Sequence, residues 1–163
     1  MNSKSIDLLN AAVAEELSAV HQYMYFHFHC DDMGYDLLAG LFKRTAIDEM
    51  NHIERLAERI LFLEGDVELK AASDVKKTQE VAEMLDMAKQ MEKDSIKMYN
   101  RSAAACSQNE DSASKTIFEE LVRDEEGHYD TFDVERHNLK KFGDNYLALQ
   151  SIERSRSGGT PAE

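Results

Sequence analysis

Two short segments carry the same trio of side chains. "AIDEMNHIE" places Asp48, Glu49 and His52, and "LVRDEEGHYD" places Asp124, Glu125 and His128. On a helix, a glutamate and a histidine three residues apart stand on one face. Turned to solvent, each segment is an acidic patch. Turned inward, the carboxylate and imidazole need a cation. The two segments are 76 residues apart, and Glu16 with Glu92, Tyr23 with Tyr99, and Cys30 with Cys106 share that spacing. A single Glu-x-x-His is a weak signal. Several residues at one offset point to a duplicated helical hairpin, its halves related by a pseudo-twofold axis.

The energetics favour an inward cluster that holds metal. Glu16 falls inside an apolar stripe, beside Val13, Leu17 and Val20. Burying four carboxylates (Glu16, Glu49, Glu92, Glu125) with two imidazoles (His52, His128) costs several kcal/mol per ion even after relaxation. Two divalent cations balance the four negative charges and leave both imidazoles neutral. Mixed carboxylate and imidazole ligation suits iron or manganese better than zinc, although zinc competes on affinity.

Four long helices must position these residues. Ile6, Leu9, Val13, Leu17, Val20 and Met24 recur at steps of three and four, predicting a helix from about Lys4 to Asp32. Gly34 breaks it. A second helix runs from about Asp36 to Glu64 and stops at Gly65. A third spans about Lys76 to Cys106, and a fourth about Ser112 to Phe142, ending at Gly143. A short fifth follows from about Asn145 to Glu153, and residues 155–163 read as a disordered tail after a single domain over 1–154. The first and third links are short and make antiparallel hairpins. The middle link, "GDVELKAASDVKK", is long enough to run back along the bundle. The expected fold is all-α, an up-down-down-up four-helix bundle with a long crossover.

Composition sets outer limits. The chain of 163 residues has a single proline, Pro161, and a formal charge of −13. That charge disfavours nucleic acid and acidic membrane surfaces and suits the attraction of cations. No apolar run approaches the roughly 20 residues of a membrane span. "MNSKSIDLLN" lacks the basic and apolar blocks of a signal peptide, and two cysteines make no disulfide framework, so a cytoplasmic setting is expected. Cys30 and Cys106 each lie 14 residues beyond a glutamate of the cluster, about 21 Å along its helix. On antiparallel helices they diverge, and an intramolecular disulfide is not expected.

One Glu from each of two helices and a Glu-x-x-His from each of two others is the constellation of the di-iron and di-manganese sites of ferritin-like bundles. The sequence further resembles bacterioferritin. "EELSAVHQY", "AIDEMNHIERLAERILFLEG" and "LVRDEEGHYD" are similar to that family's signature segments, and "KKFGDNYLALQ" to its fifth helix, over residues 6 to 154. The resemblance implies two iron ions per subunit, bridged by Glu49 and Glu125. Glu16 with His52, and Glu92 with His128, complete one iron each. It implies a ferroxidase that oxidises Fe(II) with O2 or H2O2 and stores ferric mineral in a homo-oligomeric shell of 24 subunits. Haem b at a two-fold subunit interface, with Met50 as axial ligand, and a reductant such as a ferredoxin for iron release are also implied.

Neighbouring residues carry narrower expectations. Asp48 and Asp124, one turn before the histidines, are expected to support the imidazoles. Tyr23 and Tyr99 are both expected to pack in the core with satisfied hydroxyls. The sharper expectation is that Tyr23, one or two turns from Glu16, donates an electron in O2 reduction, whereas Tyr99 is not a feature of the family. Arg44 stands where certain bacterioferritins carry an inner-surface histidine, so an iron site on the cavity wall is not carried over. His21, His27, His29 and His137 receive no role. Other functions fit parts of the pattern: a peroxide-detoxifying mini-ferritin, a di-iron or di-manganese peroxidase, catalase or oxygenase, or a helical assembly protein. "MNSKS" is a poor basic extension for a DNA-shielding mini-ferritin, and the Cys-x-x-Cys domain of a rubrerythrin-type peroxidase is absent.

Overall fold

The protein is described here by a computed structural model covering residues 2–152. Five helices form: α1 (Ser3–Asp32), α2 (Asp36–Phe62), α3 (Val81–Gln108), α4 (Ser112–Phe142) and α5 (Asp144–Gln150). α1 packs along α2 and α3 along α4, and the two hairpins meet through α1 with α3 and α2 with α4. This is the expected all-α bundle with its long crossover and short last helix. No helix among the described residues is long and apolar enough to cross a membrane. The expected tail at 155–163, and the end of the fifth helix at Glu153, lie outside the described residues.

Local chemistry sets the helix ends. Asp111 caps α4 by accepting from the Ser114 N–H at 3.1 Å, and its carboxylate also meets Arg59 Nη2 at 2.6 Å. Gly143, at φ 55°, ends α4 and opens α5. That left-handed conformation has little steric cost only for glycine. α5 is held down by Tyr146, which is buried and donates to Glu135 at 2.5 Å. At the end of α2 the left-handed residue is Glu64 (φ 63°). Gly65 serves packing instead, since a Cβ there would stand 2.9 Å from Ile6 and 3.0 Å from Ile60.

One boundary differs from expectation. The third helix starts at Val81 rather than Lys76. Gln22 donates to the Lys76 carbonyl at 3.0 Å and accepts from the Lys76 N–H at 2.8 Å. Both main-chain groups of Lys76 are thereby committed to a side chain on α1, and no helical turn forms. Asn10 holds Asp66 and Glu68 in the same way, and Ser18 accepts from the N–H groups of Ala72 and Ser73. Asn10, Ser18 and Gln22, spaced by eight and four, form a polar rail on one face of α1. The crossover is laid along that rail, parallel to α1, and so delivers α3 parallel to α2.

The apolar core is divided. One cluster holds Tyr23, Phe26, Leu38, Phe42, Met84 and Phe132. The other holds Leu9, Val13, Leu56, Ile60, Tyr99 and Phe118. Each such side chain contributes about 1.5–3 kcal/mol on burial, which helps the bundle tolerate a polar layer between the clusters. Cys30 belongs to the first cluster and Cys106 to the second, and both are free.

Candidate metal centre

The polar layer is built from six side chains on four helices. α1 supplies Glu16, α2 supplies Glu49 and His52, α3 supplies Glu92, and α4 supplies Glu125 and His128. The four carboxylates are at most 2% exposed and His52 is 4% exposed; His128 is partly buried. They fall into two interlocked groups, Glu16–Glu49–His52–Glu125 and Glu49–Glu92–Glu125–His128, with ligand atoms within 4.8 Å of one another in each. Glu49 and Glu125 belong to both.

The atoms converge on the space between them. His52 Nδ1 lies 2.8 Å from Glu49, 3.1 Å from Glu125 and 3.3 Å from Glu16. His128 Nδ1 lies 3.2 Å from Glu49, 3.3 Å from Glu125 and 3.8 Å from Glu92. Even so, both oxygens of Glu49, Nδ1 of His52 and Oε1 of Glu125 make no hydrogen bond, although all are buried. Close approach without hydrogen-bond alignment is the arrangement of ligands aimed at shared cations. An orphaned buried polar atom is otherwise costly, about 1–3 kcal/mol each.

Electrostatics give the same result. Burial pushes Glu16 well above the carboxylate range, and the charge of Glu49 adds to the effect. Burial raises Glu92 too, reinforced by its contact with Glu125. Burial would also raise Glu125, but contacts with Glu92, His128 and His52 outweigh it and hold Glu125 below the usual range. For His52, burial opposes the charged imidazole, yet Glu125, Glu16 and Glu49 push it up to about 12. His128 is raised in the same manner by Glu125, Glu49 and Glu92. The cluster therefore demands positive charge. Protons on the imidazoles are one source, and a pair of divalent cations at the point of convergence is the other.

The supporting aspartates are crossed between helices. His52 Nε2 lies 3.2 Å from Asp124 on α4, and His128 Nε2 lies 3.3 Å from Asp48 on α2. The spacing along each helix suggested the aspartate one turn earlier on the same helix. Across the bundle the facing aspartate is the nearer one, because each imidazole points inward from its own helix and its far nitrogen emerges beside the other. Arg55 joins Asp124 to Glu120 and fixes that side of the layer.

The tyrosines are crossed as well. Tyr23 on α1, two turns from Glu16, donates to Glu92 on α3. Tyr99 on α3 donates to Glu16 at 2.5 Å. Both rings are packed with their hydroxyls satisfied, as expected, and Tyr99 is the structural counterpart of Tyr23. The shared 76-residue offset carried that signal.

A cavity of about 440 Å³ between α1 and α3 is lined by Glu16, Tyr23, Glu49 and Glu92 of the cluster region and by Asp74, Lys76 and Asp94 among its other residues. Met50 lies off the cluster at 55% exposure, near the exposed Ile47 on the same helix. Arg44 and Asp48 share a groove with His128 on the α2–α4 side. The α1 histidines do not converge: His27 bonds the Ala39 carbonyl at 2.8 Å and His29 packs on Tyr25.

Comparison with known proteins adds the family. Residues 6–142 match the model of the ferritin-like domain. The chain is 36% identical over 146 residues to the bacterioferritin of Desulfovibrio desulfuricans, covering 90% of this chain and 82% of that one. It is 37% identical over 141 residues to the bacterioferritin of Brucella melitensis, covering 86% and 88%. The crystal structure of the Desulfovibrio desulfuricans protein, which describes its diiron site in different catalytic states, superposes with a TM-score of 0.91 at 34% identity, covering 99% of this chain and 91% of that one. With a duplicated hairpin, two interlocked ligand groups and relatives matched over most of their length, the chain belongs to the bacterioferritin family of ferritin-like proteins.

Proposed function

We propose that this protein stores iron: it oxidises Fe(II) to Fe(III) at the Glu16–Glu49–His52–Glu92–Glu125–His128 cluster and holds the ferric mineral inside a hollow homo-oligomeric shell of 24 copies. The observation that carries this is the pair of ligand groups sharing Glu49 and Glu125. Glu16 and His52 would hold one Fe(II), Glu92 and His128 would hold the other, and Glu49 and Glu125, common to both groups, would be shared between them.

Four carboxylates neutralise two Fe(II) with both imidazoles uncharged. Oxidation adds two positive charges to a site balanced for Fe(II), so water must supply hydroxide or oxide and protons must leave. The solution therefore acidifies as iron is oxidised. Asp124 and Asp48 lie 3.2 and 3.3 Å from the far nitrogens of His52 and His128 and would favour the tautomer that leaves each Nδ1 free for metal. The cavity with Asp74 and Asp94 gives Fe(II) an acidic approach, and O2 or H2O2 accepts the electrons. The overall acidity of the chain favours cation capture over nucleic-acid binding.

Met50, exposed on α2 one turn from the exposed Ile47, would offer its thioether to a haem shared with a second copy of the chain. Such a haem would relay electrons to the mineral from a ferredoxin-type reductant, in the cytoplasm. Oxidised and reduced haem spectra of wild type and Met50→Leu test this, with loss of the haem bands expected in the variant.

The storage function is tested by aerobic loading of the metal-free protein with a few hundred Fe(II) per assembly, followed by sedimentation. Iron should remain soluble within a particle of 24 copies of the 18.6 kDa chain, about 450 kDa of protein. A smaller particle that binds two irons per subunit while the rest precipitates would make the protein a di-metal redox enzyme instead.

A further inference from the structure

Tyr23 and Tyr99 stand in equivalent positions about the centre. Tyr23 on α1 donates to Glu92 on α3, and Tyr99 on α3 donates to Glu16 on α1 at 2.5 Å. Glu16 and Glu92 belong to different ligand groups, so each group has one phenol attached. Both tyrosines are fully buried. Tyr23 packs against Phe42 and Phe132, and Tyr99 against Phe118, which shields both rings from water. Among other buried or nearby aromatic groups, Tyr146 donates to Glu135 and Tyr129 faces Lys89. The chain has no tryptophan.

We propose that Tyr99 is a second one-electron donor beside Tyr23, the donor already expected from the sequence, so that a single subunit can reduce O2 by four electrons to two waters. This rests on the ferroxidase function proposed above. Two Fe(II) supply two electrons and become Fe(III). Each tyrosine supplies one more and becomes a neutral radical. The phenolic proton crosses the existing hydrogen bond to the carboxylate it faces, Glu92 for Tyr23 and Glu16 for Tyr99, and passes from there to the oxygen being reduced. Two further protons come from solvent, the O–O bond breaks, and two waters form. A later Fe(II) returns an electron to each radical as a proton returns to its oxygen. Over a full cycle four Fe(II) and four protons turn one O2 into two waters, and hydrolysis of the four Fe(III) releases more protons than this step takes up.

The geometry suits this step. Each hydroxyl already donates to a carboxylate, so electron loss can be accompanied by proton transfer along that bond. A tyrosine that only satisfied a carboxylate oxygen would be as well placed for stability, but it would leave the electron count of O2 unchanged. With one redox tyrosine, a subunit stops one electron short of water.

The test uses the full-length protein with two Fe(II) per subunit, exposed to O2 and freeze-quenched. The organic-radical signal is counted by EPR, and released H2O2 is assayed, in wild type, Tyr23→Phe, Tyr99→Phe and the double variant. Wild type should show more than one radical per centre and release no peroxide. Each single variant should lose about half of the signal, as independent donors require, and the double variant should show none and release peroxide. Ring-deuterated tyrosine in Tyr23→Phe should narrow the remaining signal, assigning it to a tyrosine. Uptake of two Zn(II) per subunit verifies the fold of each variant. A wild-type count of one radical or fewer per centre overturns the pair without recourse to any variant. A Tyr99→Phe protein with the full wild-type signal does the same, while normal Fe(II) oxidation leaves the ferroxidase function standing. Failure of wild type to oxidise Fe(II) overturns both.

Discussion

The rings of His52 and His128 face each other across the bundle, with centroids 5.9 Å apart and planes 27° from parallel. Each turns Nδ1 toward the carboxylates and Nε2 toward an aspartate on the other helix. The pair thus frames a space with four carboxylates and two imidazole nitrogens around it. Much of the chemistry of the protein follows from that frame.

Burial raises the Glu92 carboxyl well above the carboxylate range, and its contact with Glu125 adds to the effect, which favours the neutral form that a glutamine reproduces. Glu92→Gln should therefore change the stability of the metal-free protein by only about 1 kcal/mol, the net value of an ordinary hydrogen bond. It should lower metal affinity by at least about tenfold, since even the loss of a ligand's supporting partner costs that much. Thermal melts with and without Zn(II) separate the two effects. Equal metal-induced stabilisation of wild type and variant would contradict the assignment of Glu92 as a ligand.

Metal binding should strengthen as pH rises. In the metal-free protein Glu16, Glu92 and His52 all have folded values above their unfolded ones. For His52, the stabilisation is complete below 6.5 and is lost as pH rises through about 12. For the two glutamates, the protonated form favours folding below 4.5, and that contribution is lost as pH rises toward the folded value. Cations must displace these protons, so uptake releases acid and the gap in melting temperature between metal-bound and metal-free protein widens from pH 5.5 to pH 8 (about the range in which such sites load). A gap independent of pH would contradict the proton competition.

Asp124→Asn should weaken the ion held with His52, and Asp48→Asn the ion held with His128, by about 10–100-fold each. Anomalous scattering from crystals soaked in limiting Mn(II) reads the two occupancies separately. Loss at the opposite site in each variant would mean that each aspartate serves the histidine of its own helix.

The helices and the six residues that converge between them were largely legible in the sequence, because both depend on short-range spacing. The steps of three and four through Ile6, Leu9 and Val13 mark α1, and the 76-residue offset pairs Glu16 with Glu92. The start of α3 was not legible. It depends on Gln22, which is 54 residues from Lys76 and recognises its backbone rather than a residue type. The crossing of Tyr23 to Glu92 and of Asp124 to His52 was hidden for a related reason. Spacing ranks partners on one helix, whereas the bundle brings facing helices closer than one turn. Tyr99 was visible through its offset, but its role required the position of Glu16.

Gln22→Ala should cost about 1–3 kcal/mol, two hydrogen bonds at their usual net value. Hydrogen exchange at the Lys76 amide should accelerate in step, as the crossover loses its last attachment before α3. Unchanged protection at Lys76 would show that the crossover is held elsewhere.

Asp111→Ala removes both the cap of α4 and the partner of Arg59, and should cost about 2–4 kcal/mol. Burial would raise the Asp111 carboxyl, but hydrogen bonds from Ser114, Ser5 and Arg59 hold it below the ordinary 3.8. Its stabilisation is therefore present above that value and lost as pH falls through the folded one. Chemical denaturation of wild type and variant at neutral pH and at pH 3, or about one unit below the ordinary value, should show the difference shrinking in acid. A constant difference would place the effect in packing alone.

The central claim is that one subunit holds two Fe(II) in a bridged pair. Mössbauer spectroscopy of the metal-free protein given two ⁵⁷Fe(II) per subunit, before and after O2, tests it most directly. The expected result is two high-spin ferrous ions in similar carboxylate and imidazole environments, converting together to a spin-coupled diferric pair. A single tightly bound ferrous ion per subunit, or ferric products without spin coupling, would contradict it.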